Sequence, residues 1–361
     1  MGKRGKIALA MLVLLCLAPV LLFAFQRQIG SAIYARVVES RAGGDALAAL
    51  PDGLHLYLCG TGSPLPDPDR AGPCAAVIAG DSLFVVDVGE GAARNIQLAQ
   101  IPLAGLDGLL LTHVHSDHID GIGPLMLMRW TQGTATTPLA VHGPTGIEPV
   151  VAGFNAAYAT DHGYRTAHHG ARIVPPSGAG AVAMPFALPP ADESAVVVFR
   201  HDGLRVSAFR VDHRPVSPAV GYRFDYRGRS LVITGDTGPT PAIARNAQGA
   251  DLLLHEALQP RMTTQLTGAL AERGQANAAL ITRDILNYHA TPEDAARAAQ
   301  RAGVGHLVLT HLVPPLPSSY FYPAFLCDAP SLFDGPITVG EDGMLFSLPA
   351  GSDEIRREKL L

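Results

Sequence analysis

Leu109-Leu110-Leu111-Thr112-His113-Val114-His115-Ser116-Asp117-His118 sets an apolar run directly before four metal-ligand side chains held within six residues. The run predicts a buried strand over 108–112, ending where the histidines begin. A strand alternates its side chains, so His113 and His115 are expected on one side, and a following turn would bring Asp117 and His118 to a neighbouring point. Imidazole nitrogen with carboxylate oxygen suits Zn²⁺, Mn²⁺ or Fe²⁺ and not Ca²⁺. Three histidines and an aspartate would leave too many unsatisfied polar groups in an ordinary core. The stretch therefore reads as metal-ligating.

Three more predicted strands end the same way. Val211-Asp212-His213 precedes Arg214-Pro215 and then Gly221-Tyr222-Arg223-Phe224. Leu231-Val232-Ile233-Thr234-Gly235-Asp236-Thr237 and Leu307-Val308-Leu309-Thr310-His311 each close an apolar run with a potential ligand. The hexad and these three ends, in this order, resemble the H-x-H-x-D-H signature and later ligands of the metallo-β-lactamase superfamily, nearest its ribonuclease Z branch. The resemblance spans about 54–348. It implies an α/β fold, a four-layer αββα sandwich, carrying two divalent ions, with Zn²⁺ expected and Mn²⁺ or Fe²⁺ as alternatives. His113, His115 and His213 would hold the first ion, Asp117, His118 and His311 the second, and Asp236 would bridge them.

Two ions so placed lower the pKa of a water between them and stabilise charge on the attacked centre. Asp117 would orient that water and accept its proton. Asp251-Leu252-Leu253-Leu254-His255-Glu256-Ala257 resembles the H-E-A-T loop of ribonuclease Z, which implies His255 as general acid with Glu256 orienting it. The loop departs from that pattern at Leu258. Tyr288-His289-Ala290-Thr291 resembles the H-x-T segment of the same branch, placing His289 as a supporting or oxyanion contact. His162-Gly163-Tyr164-Arg165-Thr166-Ala167-His168-His169-Gly170 resembles a segment of arylsulfatase-like and phosphodiesterase-like members. It implies a lid offering Tyr164, Arg165 and His169 to an anionic substrate, with a solvated loop as the alternative. Gly60-Thr61-Gly62-Ser63-Pro64 resembles a loop of that group and lacks the lysine of a phosphate-binding P-loop.

Around the site, the secondary structure alternates. Strands are expected over 54–58, 74–79, 83–87, 195–200, 204–212, 219–226, 230–234, 251–254, 306–310 and 337–348. The clearest helix runs over 292–302: Thr291 is an N-cap, Pro292 suits the first turn, Glu293 and Asp294 suit the positive dipole end, and Gly303 stops it. Residues 155–190, rich in Gly, Pro and Ala, read as an irregular excursion.

The 361 residues carry a formal charge of −5, unevenly placed. Lys3, Arg4, Lys6 and Arg27 leave 1–27 wholly basic, so the remaining 23 basic residues face 32 acidic ones, a net −9. Ile7 to Phe25 is uncharged and long enough to cross a bilayer core of roughly 30 Å. The expected organisation is 1–27 as a membrane anchor or signal, 28–50 as a linker, 51–350 as the hydrolase domain and 351–361 as a polar tail. The basic flank predicts a single-pass inner-membrane protein of bacterial type with its domain on the periplasmic side, or a secreted form after cleavage. Cys59 and Cys74 are compatible with a bridge in an oxidising compartment, or with isolated small apolar positions.

The acidic body argues against a polyanionic partner, so nucleic acid ranks below a small anionic ester. The expected function is metal-dependent hydrolysis of a phosphodiester. Sulfate ester hydrolysis of arylsulfatase type, lactone or thioester hydrolysis and tRNA 3′-endonuclease activity are the alternatives, with a membrane-tethered metal-binding scaffold as the non-enzymatic one. A homo-oligomer is compatible with all of these.

Overall fold

The computed structural model describes residues 2–133, 135–189 and 195–361, apart from the side chains at 8–10 and 12–14. It divides into two compact units, Met1–Ala46 and Leu47–Leu361. The first holds helices Lys3–Ala24 and Gln26–Arg41, so most of the expected linker is helical. Among the described residues no single helix is long and apolar enough to cross a membrane; Leu15–Ala24 and Gln26–Arg41, bent by 73°, pass that test only together.

The second unit is built on two sheets. The first contains β1 (Gly53–Gly60), β2 (Cys74–Ala79), β3 (Ser82–Val86), β4 (Leu106–Leu110), β5 (Leu139–Pro144) and β6 (Ala181–Phe186). The second contains β7 (Val196–His201), β8 (Leu204–Arg210), β9 (Val220–Tyr226), β10 (Arg229–Ile233), β11 (Leu252–Leu258), β12 (His306–Val313) and β13 (Ile337–Val339). Two last strands, β14 (Met344–Pro349) and β15 (Arg356–Lys359), return to the first. The orders are β15-β14-β1-β2-β3-β4-β5-β6 and β13-β12-β11-β10-β9-β8-β7. Strand alternation then divides the apolar residues among three layers. Leu54, Leu56, Val77, Phe84, Tyr222, Leu231, Leu252, Leu254 and Val308 pack between the sheets. Val85, Leu109, Leu111 and Val141 pack outward with Ile96, Leu125 and Val151 of the covering helices. Leu253, Ala257, Leu307 and Leu309 face Ala295, Ala296 and Ala299. The result is the four-layer αββα sandwich.

Helix Pro292–Ala302 has the expected bounds and a complete capping box between Thr291 and Asp294. Its alanines let its axis lie close on the sheet, as a small-residue face permits. Three expectations need correction, and one region was not anticipated. The 155–190 excursion is largely ordered, since Glu148–His169 is a helix of 22 residues closed by Gly170 at a positive φ of 84°, and β6 follows. Helix-compatible alanines, with Val151 buried against the core, outweigh the internal glycines. The single strand over 337–348 is two strands in different sheets, and the 351–361 tail contributes β15, paired antiparallel with β14. Finally, 258–288 holds a helical hairpin, Pro260–Glu272 and Ala276–Asp284, that the strand pattern did not anticipate. Cys59 and Cys74 form a disulfide across a sequence separation of 15, joining the end of β1 to the start of β2.

Candidate metal centre

β4 ends at Leu110, so the hexad lies on the loop beyond it and not on the strand. That loop is pinned by β9 of the second sheet. Leu111 carbonyl accepts from the Tyr222 hydroxyl at 2.6 Å, and Thr112 carbonyl accepts from Val220 N–H at 3.0 Å. His113 Nε2 and His115 Nδ1 end 3.0 Å apart. The short helix Ser116–Ile119 then turns Asp117 and His118 back toward them. From the second sheet, the loop after β8 supplies His213 and the loop after β10 supplies Asp236. Gly235 adopts φ +62°, and a Cβ there would lie 2.8 Å from Thr112 Cβ, so only glycine lets the Asp236 loop close on the hexad.

His311 arrives by a different device. Along β11 and β12 the parallel register runs to Glu256 opposite Thr310, then resumes with Ala257 opposite Leu312. His311 is the extra residue of this bulge and has φ +47°. Regular alternation would send it outward with Leu309; the bulge turns it toward the cluster.

All seven candidate ligands meet there. Asp236 Oδ2 lies 3.2 Å from His311 Nε2, 3.3 Å from His118 Nε2, and 3.9 Å from both His113 Nε2 and His213 Nε2. Asp117 Oδ2 lies 3.3 Å from His311 Nε2 and 3.5 Å from His118 Nε2. Two donor groups result, His113/His115/His213/Asp236 and Asp117/His118/His311, each with its donor atoms within 4.8 Å of one another. Asp236 Oδ1 and His118 Nε2 are buried without a hydrogen-bond partner among the described residues. Orphaned polar atoms of this kind are costly in a dry interior, and metal ligation would satisfy them. Burial, and then the neighbouring His118, holds His113 well below the usual imidazole range, which favours the neutral ligand form. Burial also pulls His118 down, but Asp236 and Asp87 more than reverse it. The residues present fit a pair of divalent ions.

The far sides of the imidazoles are held as well. His118 Nδ1 lies 2.8 Å from Asp87 Oδ2, and His113 Nδ1 lies 3.0 Å from Thr112 Oγ1, which itself donates to Asp87 Oδ2 at 2.7 Å. His213 Nδ1 faces the Tyr288 carbonyl at 3.2 Å. Such contacts fix ring orientation and tautomer. Asp87, Thr112 and Tyr288 carry these supports and were not singled out from the sequence. The only signal for Asp87 was a carboxylate at the end of the strand over 83–87.

The proton-handling residues differ from expectation. Along β11, Leu254 and Glu256 face the space between the sheets, while Leu253, His255 and Ala257 face the outer helices. The pairing of His255 with the Glu256 carboxylate is therefore corrected: alternation sends the two side chains to opposite faces. The Glu256 carboxylate instead accepts from Thr237 N–H (3.0 Å), Ala290 N–H (3.2 Å) and His289 Nδ1 (2.9 Å). The His289 ring stacks beside His311, with centroids 5.4 Å apart. Burial lowers His289, but the Glu256 charge and hydrogen bond, with Asp236, raise it to about 9.

Tyr164, Arg165 and His169 sit on helix Glu148–His169 and not on a lid. Arg165 Nε is paired with Asp161 Oδ2 at 2.6 Å, Tyr164 is 71% exposed, and His169 stacks edge-on against His168. Among the described residues none of the three contacts the cluster. The Gly60–Gly62 loop is held by Asp342: Thr61 N–H and Oγ1–H, Ala71 N–H and Asn95 Nδ2 all donate to its carboxylate at 2.7–2.9 Å. Pro73 and Cys74, at the far end of that loop, border a small cavity with Asp87, His118, Asp236 and His311.

The sequence over 84–312 matches the family model described as "Beta-lactamase superfamily domain". The chain is 36% identical over 291 residues to Ribonuclease Z of Mycobacterium bovis (strain BCG / Pasteur 1173P2), covering 80% of this chain and 96% of that protein. It is 40% identical over 264 residues to Ribonuclease Z of Mycobacterium sp. (strain KMS), covering 73% and 85%. Among solved structures, the short form of human tRNase Z is similar at a TM-score of 0.58 and 21% identity, over 82% of this chain and 99% of that one. Zinc-bound PqqB from Methylobacterium extorquens is similar at 0.51 and 16%, over 81% and 100%.

Proposed function

The chain belongs to the metallo-β-lactamase superfamily and is a hydrolase, and from that premise we propose that it cleaves phosphodiesters at a two-metal centre. The observation that carries this reading is the position of Asp236 Oδ2, 3.2–3.9 Å from histidines of both donor groups, with the Glu256–His289 pair beside it. His113, His115, His213 and Asp236 would hold one ion, and Asp117, His118, His311 and Asp236 the other. Bound there, two divalent ions would supply an acidified water and neutralise charge on the phosphoryl group.

The protein's own groups supply the rest. Asp117 is 13% exposed at its side chain and is the cluster carboxylate nearest solvent, so it can orient an attacking water and take its proton. His289 is held at Nδ1 by Glu256, whose charge and hydrogen bond raise its pKa, and can give its Nε2 proton to the leaving oxygen. A raised imidazole beside a buried glutamate is what protonation of a poor leaving group requires.

Likeness to two mycobacterial Ribonuclease Z proteins favours an RNA phosphodiester as the second reading. The body's net −9 and near absence of lysine beyond residue 6 favour a smaller ester. The disulfide and the basic, apolar N-terminus support a proposal that the domain works outside the cytoplasm, tethered by that segment. Metal analysis followed by turnover on matched aryl phosphodiester, aryl sulfate, lactone and pre-tRNA substrates tests the function. A preference for lactone or sulfate ester would overturn the phosphodiester reading. Recovery of full-length protein in the soluble fraction, against the membrane fraction expected, would overturn the tether.

A further inference from the structure

His255 is buried to 1% exposure, yet it faces away from the metal cluster. It lies in the outer apolar layer between Leu253 and Ala257, under the alanines of Pro292–Ala302. Its Nδ1 sits 2.7 Å from the carbonyl oxygen of Glu256, the next residue along the strand. Nδ1 carries the proton and donates, since a carbonyl can only accept.

That bond falls at a particular place. The β11–β12 ladder shifts register between Glu256 and Ala257, at the bulge that turns His311 inward. The bulge disrupts the ladder here, so the Glu256 peptide has freedom unless side chains hold it; Thr234 Oγ1 accepts from its N–H at 3.3 Å, and His255 holds its carbonyl. Glu256 can have no such freedom if its carboxylate is to hold His289 Nδ1 at 2.9 Å while accepting from Thr237 and Ala290 N–H.

We infer that His255 is a positioning residue, which fixes the Glu256 peptide from the far face of the sheet and so keeps the Glu256–His289 pair aimed at the leaving group. This rests on the proposed role of that pair as proton donor. Burial keeps the His255 imidazole below its ordinary range, so it is neutral and holds no spare proton for the reaction.

His255→Leu removes the donor but should pack in the apolar layer, and His255→Asn returns an N–H at the same reach. Each would be assayed with metal content on methyl 4-nitrophenyl phosphate, whose leaving group needs little protonation, and methyl phenyl phosphate, whose leaving group needs more. Metal content should match wild type in both variants. His255→Leu should lose about 10–100-fold in kcat on the phenyl ester, the range for removing an outer support, and under about 3-fold on the nitrophenyl ester. His255→Asn should recover most of that loss. An Asn variant as poor as Leu, or equal losses on both esters, would overturn the inference alone. If Glu256→Gln and His289→Ala show no selective loss on the phenyl ester, the proton-donating pair falls, and the inference with it.

Discussion

Asp87→Asn separates the two halves of the metal centre. Asp87 occupies a left-handed backbone position, φ +54°, which asparagine also tolerates, so the substitution keeps the loop. The carboxylate accepts three hydrogen bonds: His118 Nδ1–H at 2.8 Å and Thr112 Oγ1–H at 2.7 Å on Oδ2, and Thr112 N–H at 2.8 Å on Oδ1. An amide has one acceptor oxygen and one donor NH₂. If its oxygen faces His118, the NH₂ meets the Thr112 N–H; if it flips, the NH₂ meets the His118 N–H. One donor–donor contact in a dry site results either way, and His118 loses its charged partner. A hydrogen bond to a charged group is worth about 1.5–3 kcal/mol, or about 10–100-fold in an equilibrium constant. His118 belongs to the Asp117/His118/His311 group, so that site should lose zinc affinity by this factor. The other group is reached less directly, through the Thr112 hydroxyl with His113 Nδ1 and through Asp236 Oδ2, 3.3 Å from His118 Nε2, and should lose under about 10-fold. Competition with a chromophoric chelator, with metal counted after dialysis, should show two bound ions falling to one. Retention of both within about threefold, or loss of both together, would refute a separate support for the His118 site.

Three further outcomes are expected. Glu256→Gln leaves the carbonyl side of the amide to accept from Thr237 and Ala290, but withdraws the charge that raises His289; kcat on esters with poor leaving groups should fall about 10²–10⁴-fold with metal content unchanged. His306, drawn down to about 4 by burial and then by Arg357, binds fewer protons folded than unfolded, so the stability it contributes is present above its ordinary pKa near 6.5 and lost as pH falls toward 4. His306→Gln should flatten that part of a denaturant-midpoint profile by about 1–2 kcal/mol, discounted for its partial exposure, and an unchanged slope would count against it. Cys59→Ser with Cys74→Ser opens a loop of 15 residues and should cost about 3 kcal/mol in chemical denaturation, matched by reductant acting on wild type.

How far the site could be read from sequence depends on which physical rule places each residue. Residues carried on strand ends announce themselves, because an apolar run that stops at His or Asp sets a ligating group at the rim of a buried sheet. That covers the hexad, His213, Asp236 and His311. Asp87 and Thr112 are equally close to the chemistry, but a single polar residue after a strand is ordinary until the chain brings it beside an imidazole. The expectation that Glu256 orients His255 failed for a simple reason: neighbours on a strand point to opposite faces, so the Glu256 carboxylate cannot reach the His255 ring. The region 155–190 failed for another, since glycine and proline counts describe local cost while Val151 and its neighbours gain from burial that only the packed sheet provides.

By itself the sequence determined which elements alternate, which runs must be buried, and which residue types could bind metal, since these follow from side-chain chemistry and period. Tertiary structure alone decided which carboxylate serves which histidine. A bulge opposite Glu256 rotates His311 into the cluster, Gly235 lets one loop close on another, and the second sheet delivers His213 and Asp236 to within 4 Å of His115 and His113. Those outcomes depend on contacts between residues far apart along the chain, and no local pattern encodes them.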